Sequence, residues 1–394
     1  MLSCRQKAVE SQNWQWRGEN RNGMYLSEIG LLKEWSPDGP ELLWYFQGLG
    51  DGYTSAAIAN GRIYITGVDE DDNLSLFVLD LNGRLIDSKE IGQERSHSYP
   101  GPRSSVNVND GRLYIFNSLG ILVCLDEATL AKVWSRDLIA EFEGRNKNHG
   151  ITENPLIVGD KIFMTPGGET HNVIALNKHT GELIWSSSGR GRESVYGSPI
   201  FIDGYSIPIL IAFTQQIIIA FNADTGEVLW SHPIHMWDVP NTALYYNGMI
   251  YTNAGAVGWS TMLRLTDSGR AVELVWENQD IGNRIGAAVK VGDYIYLGGD
   301  RNRGFFCLNW NTGELMYRST DIANGAIIYA DGMLYYYSDR GEVALIRPNP
   351  EKLDLVSSFM ITQGTGQHWA HPVIHNGVLY IRRGDALMAY KVKN

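Results

Sequence analysis

Asn177-Lys178-His179-Thr180-Gly181-Glu182-Leu183-Ile184-Trp185 and Asn222-Ala223-Asp224-Thr225-Gly226-Glu227-Val228-Leu229-Trp230 are two copies of one pattern, a glycine turn followed by a short apolar strand that ends on tryptophan. A third copy, Asn309-Trp310-Asn311-Thr312-Gly313-Glu314-Leu315-Met316-Tyr317, ends on tyrosine, and Asp126 to Trp134 and Thr266 to Trp276 are looser versions. Self-similarity at a fixed spacing marks a repeat architecture, in which each unit buries its apolar surface against its neighbours.

A second signal keeps the same beat. Asn60-Gly61 precedes Arg62-Ile63-Tyr64-Ile65, Asp110-Gly111 precedes Arg112-Leu113-Tyr114-Ile115, and Asn376-Gly377 precedes Val378-Leu379-Tyr380. With Gly159-Asp160, Asp203-Gly204, Asn247-Gly248, Gly292-Asp293 and Asp331-Gly332, the second turn residues fall at 61, 111, 160, 204, 248, 293, 332 and 377. Asn, Asp and Gly tolerate the positive φ of a type I′ hairpin. The spacing is that of a four-stranded blade, so an all-β, eight-bladed β-propeller of antiparallel blades is expected. The last unit stops at Lys391-Val392-Lys393-Asn394 without its tryptophan strand, while Glu41-Leu42-Leu43-Trp44-Tyr45-Phe46 is such a strand with no blade ahead of it. The N-terminal strand should therefore complete the eighth blade and remove the exposed edges. Residues 41–394 would form one propeller, and residues 1–40 an arm across its outside.

Composition narrows the function. Hydrophobic residues make up 44% and charged residues 20% of the 394, which excludes long-range disorder. A net charge of −11, from 33 Lys+Arg against 44 Asp+Glu, argues against a phosphate-gripping surface and hence against nucleic acid. The sequence has no apolar run of the length a transmembrane segment needs. Cys4, Cys124 and Cys307 show neither metal-type spacing nor an adjacent pair, and the last two read as buried strand positions. Leu2-Ser3-Cys4 reads like the end of a bacterial lipoprotein signal, which makes Cys4 a lipidation candidate and a periplasmic or outer-membrane-anchored location the expectation. The apolar stretch that precedes such a cysteine is not in this chain.

Blades carrying Leu-Asx-x-x-Thr-Gly-Glu-Leu-x-Trp resemble the pyrroloquinoline-quinone-like repeat of quinoprotein-type propellers, over nearly the whole chain. Trp14-Gln15-Trp16-Arg17-Gly18, Tyr99-Pro100-Gly101-Pro102-Arg103, Thr165-Pro166-Gly167-Gly168 and Trp369-Ala370-His371-Pro372 look like the bacterial PQQ-binding-like β-propeller repeat proteins. The resemblance implies two different functions, because the repeat serves quinoprotein dehydrogenases and also the propeller lipoprotein of the outer-membrane β-barrel assembly machine. The dehydrogenases carry an adjacent cysteine pair beside the quinone and longer roofing insertions, which this sequence lacks. An extracytoplasmic binding or scaffolding module without cofactor is therefore the expectation. The alternative is a dehydrogenase that uses PQQ with Ca²⁺ to oxidise an alcohol or sugar.

Candidate site residues follow from counting. In a propeller, the connections leading into the innermost strands build one face around the channel mouth, and the Asn-Gly turns lie on the other. Six residues before each second turn residue lie Ser55, Ser105, Asn154, Ser198, Thr242, Ala287, Ala326 and His371. One position earlier come Thr54 and Glu153, and one earlier again Tyr53, Arg103, Tyr196 and Trp369. His97, His149, His171, His232, His235, His368 and His371 fall on the same side. A partner (an envelope protein, a glycan or a small molecule) is expected here on a monomer, at Tyr53, Arg103, Glu153, Asn154, Tyr196, Arg284, Trp369 and His371. In the quinone reading, Glu153 and Asn154 give oxygen ligands to Ca²⁺ and Arg103 forks a quinone carboxylate. In the favoured alternative they are hydrogen-bonded groups lining a wet channel. His232 and His235 lack a third metal ligand. A cofactor-free carbohydrate-processing enzyme is a weaker third reading and needs a carboxylate pair on this face. The repeating Trp44, Trp134, Trp185, Trp230 and Trp276 are expected to pack between blades.

Overall fold

A computed structural model describes residues 14–94, 99–145, 150–234, 239, 241–255, 258–300 and 303–394. Eight four-stranded antiparallel sheets follow one another around a ring. Blades 1 to 7 span 57–93, 107–137, 156–187, 200–233, 244–278, 289–319 and 325–360. Blade 8 takes its three inner strands from 373–391 and its outermost strand from Leu42–Gln47, registered Trp44 to Ala389 and Gln47 to Ala386. The N-terminal strand thus closes the ring, as its orphaned pattern implies.

The hairpin turns refine the expected chemistry. Asn60-Gly61, Asp110-Gly111, Asn247-Gly248, Asp331-Gly332 and Asn376-Gly377 have positive φ at both residues, as type I′ requires. In Gly159-Asp160 and Gly292-Asp293 only the glycine does, the type II′ pattern. Asp203-Gly204 opens a longer loop that runs to Ile209, where the second strand of blade 4 begins.

Every blade also carries a bulge that the sequence pattern does not announce. Pairing between the third and fourth strands slips by one residue just before the tryptophan position. The skipped residues are Leu43, Ile86, Val133, Ile184, Leu229, Val275, Met316 and Val356. A bulge re-aims the side chains that follow it. Where the next residue is aromatic, the bulge turns it into the seam between blades, at the cost of leaving an aliphatic group such as Ile184 exposed.

In that seam the indole does two things. Nε1 of Trp44, Trp134, Trp185, Trp230 and Trp276 donates to the carbonyl of Leu81, Lys178, Ala223, Gly269 and Trp310, at 3.0, 3.1, 3.1, 3.1 and 3.0 Å, each on the next blade. The ring lies flat on the glycine of the neighbouring turn. A Cβ on Gly181 would stand 2.8 Å from Trp134 and one on Gly226 2.6 Å from Trp185, so the Thr-Gly-Glu glycine supplies close approach as well as positive φ. In blade 7 the equivalent residue is Ser357, and Trp35 from the N-terminal arm occupies this seam. Its backbone N–H, not the indole, donates to Ser357 Oγ at 2.8 Å, and its ring packs on Tyr335 and Phe359 at 5.8 and 5.7 Å.

The arm itself departs from expectation, because its described inner part runs inside the ring and not across the outside. Val108 N, on the innermost strand of blade 2, donates to Trp14 O at 2.9 Å. Met24–Tyr25 pairs in parallel with Tyr329 and Ala330 on the channel edge of blade 7. The arm leaves on the turn face, where the Glu28 carboxylate accepts from Asn376 N and Gly377 N at 2.7 and 2.9 Å and Leu31 N donates to Asp331 at 2.8 Å. Innermost strands present unpaired backbone groups to the channel, and a chain laid along them satisfies those groups.

These seams predict a graded response at Trp185, which is 8% exposed. Trp185→Ala should cost about 3–5 kcal/mol, whereas Trp185→Phe keeps most of the packing and loses one hydrogen bond, about 1–2 kcal/mol. Denaturant unfolding of the two variants checks the order, and equal losses would show that the indole N–H contributes nothing.

Candidate functional site

The mouth row is a chain of hydrogen bonds passed from blade to blade. Ser55 Oγ donates to His371 O at 3.0 Å, Ser55 N to Ser105 Oγ at 2.9 Å, Ser105 N to Asn154 Oδ1 at 2.8 Å and Asn154 N to Ser198 Oγ at 2.8 Å. Four successive seams, from blade 8 to blade 4, are joined this way. Across the ring, Asn241 Nδ2 donates to Asn283 O at 2.5 Å. The sequence count located these positions, and the structure gives them to inter-blade bonding.

The tip of the arm fills the centre of the row. Arg17 is 1% exposed and Arg21 2% exposed. Arg17 donates to Ala288 O at 2.7 Å and Ile327 O at 3.2 Å, on blades 6 and 7, and its Nη1 lies 3.4 Å from His371 Nδ1. Arg21 donates to Gln15 Oε1 and Asn154 O, both at 2.9 Å, and to Pro155 O on blade 3. Burial lowers Arg17 to about 10 and Arg21 to about 9, so both remain cations at neutral pH. His371 is held well below its usual value by burial and by the Arg17 charge, with Trp16 edge-on to its ring at 5.1 Å.

Glu153 lies beside Arg21, 1% exposed. Its oxygens accept from Thr165 N and Thr165 Oγ1 at 3.0 and 3.1 Å. Burial raises its carboxyl to about 8, with the Thr165 bonds and Arg21 opposing. Thr54 and Asn241, at the same place in their blades, also bond a residue twelve positions on, Thr66 and Asn253. The Glu153 contact is thus one instance of a repeated strand-to-strand tie.

Beside the closed mouth, three of the expected residues come together. Trp369 packs on Tyr53 at 5.2 Å and on Tyr99 at 4.8 Å between ring centroids. The Arg103 guanidinium lies 5.6 Å from the Tyr53 ring and donates to Tyr99 O at 2.8 Å. Tyr99 is 48% exposed, and Tyr53, Arg103 and Trp369 are partly so. Tyr196 sits apart, its carbonyl accepting from Thr152 Oγ1 at 2.9 Å. Arg284 belongs to another cleft and pairs with Asp300 at 3.5 Å. Cys4, His97, His149 and His235 lie outside the described residues.

These groups do not fit a calcium-bound quinone. Calcium requires six to eight oxygen ligands, preferably anionic. The Glu153 oxygens are bonded to Thr165, Asn154 Oδ1 accepts from Ser105, and the charge acting on Glu153 is the Arg21 cation. Among the described residues no group of three His, Cys, Asp or Glu is placed to hold a metal. Sequence reasoning missed three arginines, Arg17, Arg21 and Arg382. Arg382 is 1% exposed and donates to Thr66 O at 2.6 Å, Gly384 O at 2.9 Å and Thr54 Oγ1. The segment around Arg17 and Arg21 is polar and glycine-containing and does not recur, so no sequence signal marked the two arginines as buried.

The Glu153 shift makes stability depend on pH with a definite sign. A carboxyl raised from 4.5 to about 8 stabilises the fold fully below 4.5, and that contribution is lost as pH rises through about 8. Wild type should therefore lose stability relative to Glu153→Gln across that window, by a few kcal/mol. Parallel unfolding curves for the two proteins from pH 5 to 8 would refute it.

Similarity to known proteins bears on the fold and points to both kinds of relative. Residues 75–244 match the family model described as outer membrane protein assembly factor BamB. The chain is 30% identical over 118 residues to the quinoprotein ethanol dehydrogenase of Pseudomonas putida, an alignment covering 29% of this chain and 18% of that protein. The match to the Pseudomonas aeruginosa enzyme, 28% over 128 residues, covers 32% of this chain and 20% of the enzyme. The chain thus matches about a fifth of the length of these curated relatives. The structure of BamB from Moraxella catarrhalis superposes with a TM-score of 0.67 at 13% identity, covering 89% of this chain and 99% of that one. A europium-containing methanol dehydrogenase gives 0.72 at 11% identity, covering 96% and 91%. At such identities the likeness is one of fold. Repeat pattern, eight-bladed ring and the family match over residues 75–244 agree, and the chain is similar to the PQQ-like eight-bladed β-propeller repeat proteins.

Proposed function

We propose that the protein is an extracytoplasmic binding or scaffolding module that takes an envelope protein or glycan on the mouth face, through Tyr53, Tyr99, Arg103 and Trp369. One observation carries this reading: the chain's own arm fills the mouth, while the aromatic cluster beside it stays open to solvent. Aromatic rings with an arginine across them offer large contact area at little entropic cost, the composition of binding hot spots. The family match to an outer-membrane assembly factor supports an envelope setting, with Cys4 as the tether in this reading. Wild type should recover a partner from envelope extracts that Arg103→Ala/Trp369→Ala does not. Equal recovery by both proteins, or recovery of nothing, would overturn the proposal.

A quinone-dependent dehydrogenase is the second reading, favoured by the identity to quinoprotein ethanol dehydrogenases. The committed bonds of Glu153 and Asn154 weigh against it. The scaffold reading expects micromolar PQQ with Ca²⁺ to give neither a stoichiometric bound chromophore nor dye-linked alcohol oxidation. A bound chromophore, with dye reduction, would reverse the order of the two readings.

A further inference from the structure

A cleft of about 590 Å³ opens on the mouth face between blades 6 and 7. That size lies within the range of small-molecule sites. Its lining holds Arg284, Arg303, Arg318 and Arg340 with Asp300, Asp321, Asp339 and Glu342, formally balanced in charge. Part of this set is already paired: Asp300 accepts from Asn324 Nδ2 at 2.8 Å and faces Arg284 at 3.5 Å. Two elements are not. The Asp339 carboxylate is half-buried and receives no hydrogen bond among the described residues, although Arg284, Arg303 and Arg340 act on it electrostatically. Arg303 and Arg340 are exposed, and among the described residues their guanidinium groups make no salt bridge. Burial and the neighbouring Asp300 raise the Asp339 carboxyl, with Arg340, Arg303 and Arg284 opposing.

A half-buried acceptor without a donor and open forked donors without an anion call for one ligand carrying both signs. We propose that this cleft binds a small zwitterion, a free amino acid or short peptide, with its ammonium group on Asp339 and its carboxylate held by Arg303 and Arg340. A purely anionic ligand would leave Asp339 beside Asp300 uncompensated, and a cation would be repelled by the guanidinium rim. Among the described residues no aromatic side chain lines the cleft, so they offer a sugar ring no face to stack on. Arginine suits the carboxylate end because its planar fork gives two parallel hydrogen bonds.

The test is calorimetric titration of the full chain with glycine, diglycine and triglycine, and with their N-acetylated and C-amidated forms. At least one zwitterion should bind saturably at millimolar concentration or below, and blocking either terminus should weaken it roughly tenfold or more. Asp339→Asn and Arg340→Gln, each checked for an unchanged thermal midpoint, should weaken binding by a similar factor, while Trp369→Ala should bind as wild type does. Binding by no zwitterion, equal binding of the blocked forms, or unchanged binding by the cleft variants would overturn the proposal. Loss of binding in Trp369→Ala would move the ligand to the aromatic cluster and overturn it as well.

Discussion

Two guanidinium groups span the centre of the ring. Removing such a cation from water costs several kcal/mol unless its donors are met, and a propeller channel is one of the few interiors able to meet them. Innermost strands turn backbone carbonyls inward, and apart from the short pairing of Met24–Tyr25 on blade 7 no further strand among the described residues bonds them. Arg17 takes carbonyls on blades 6 and 7, and Arg21 takes carbonyls on blade 3, across the ring. Lysine could not do the same, since its donors radiate from one atom, whereas the planar fork reaches carbonyls on different strands at once. Buried charge and buried carbonyls thus resolve each other's desolvation cost, and neither arm nor channel is satisfied alone.

The rest of the ring follows from that central tie and from the outer seams. A closed propeller must join its last blade to its first, and here one N-terminal segment does so at three radii. Residues 14–25 line the channel, Trp35 fills the seam between blades 7 and 8, and Leu42–Gln47 becomes the outer strand of blade 8. The seam at blade 7 shows why the middle contact matters: where Ser357 replaces the repeated tryptophan, the arm brings an indole of its own. Closure is therefore a covalent continuity running from axis to rim.

What could be read in the sequence was whatever recurs. The two-residue turns before the second strands recur eight times and the turn-to-aromatic pattern five times, three of them with Thr-Gly-Glu, and so blade number and closure strand were legible. The mouth row was also found by counting, because period fixes backbone position. Period does not fix what a side chain faces. Asn154 could equally have met a ligand or Ser105, and only the three-dimensional register decides for Ser105. The arm occurs once, so no pattern exposed it. Arg17 finds its partners 271 and 310 residues away, and a lone arginine in a polar-looking stretch reads as surface. The bulges escaped for a related reason: Ile184 looks like a core residue by its neighbours and is extruded because Trp185 needs the seam.

The same reasoning bears on how one fold serves unlike roles. A propeller mouth offers a ring of polar atoms at fixed spacing, and each can be given to a ligand or to the neighbouring blade, but not to both. In this chain Ser55, Ser105, Asn154 and Ser198 bond sideways, Glu153 bonds Thr165, and His371 faces Arg17. Orienting a ligand at the centre would require breaking those bonds and expelling two buried cations. The surfaces that stay open to solvent lie farther out: the partly exposed rings around Trp369, and the cleft where the Asp339 carboxylate receives no hydrogen bond among the described residues.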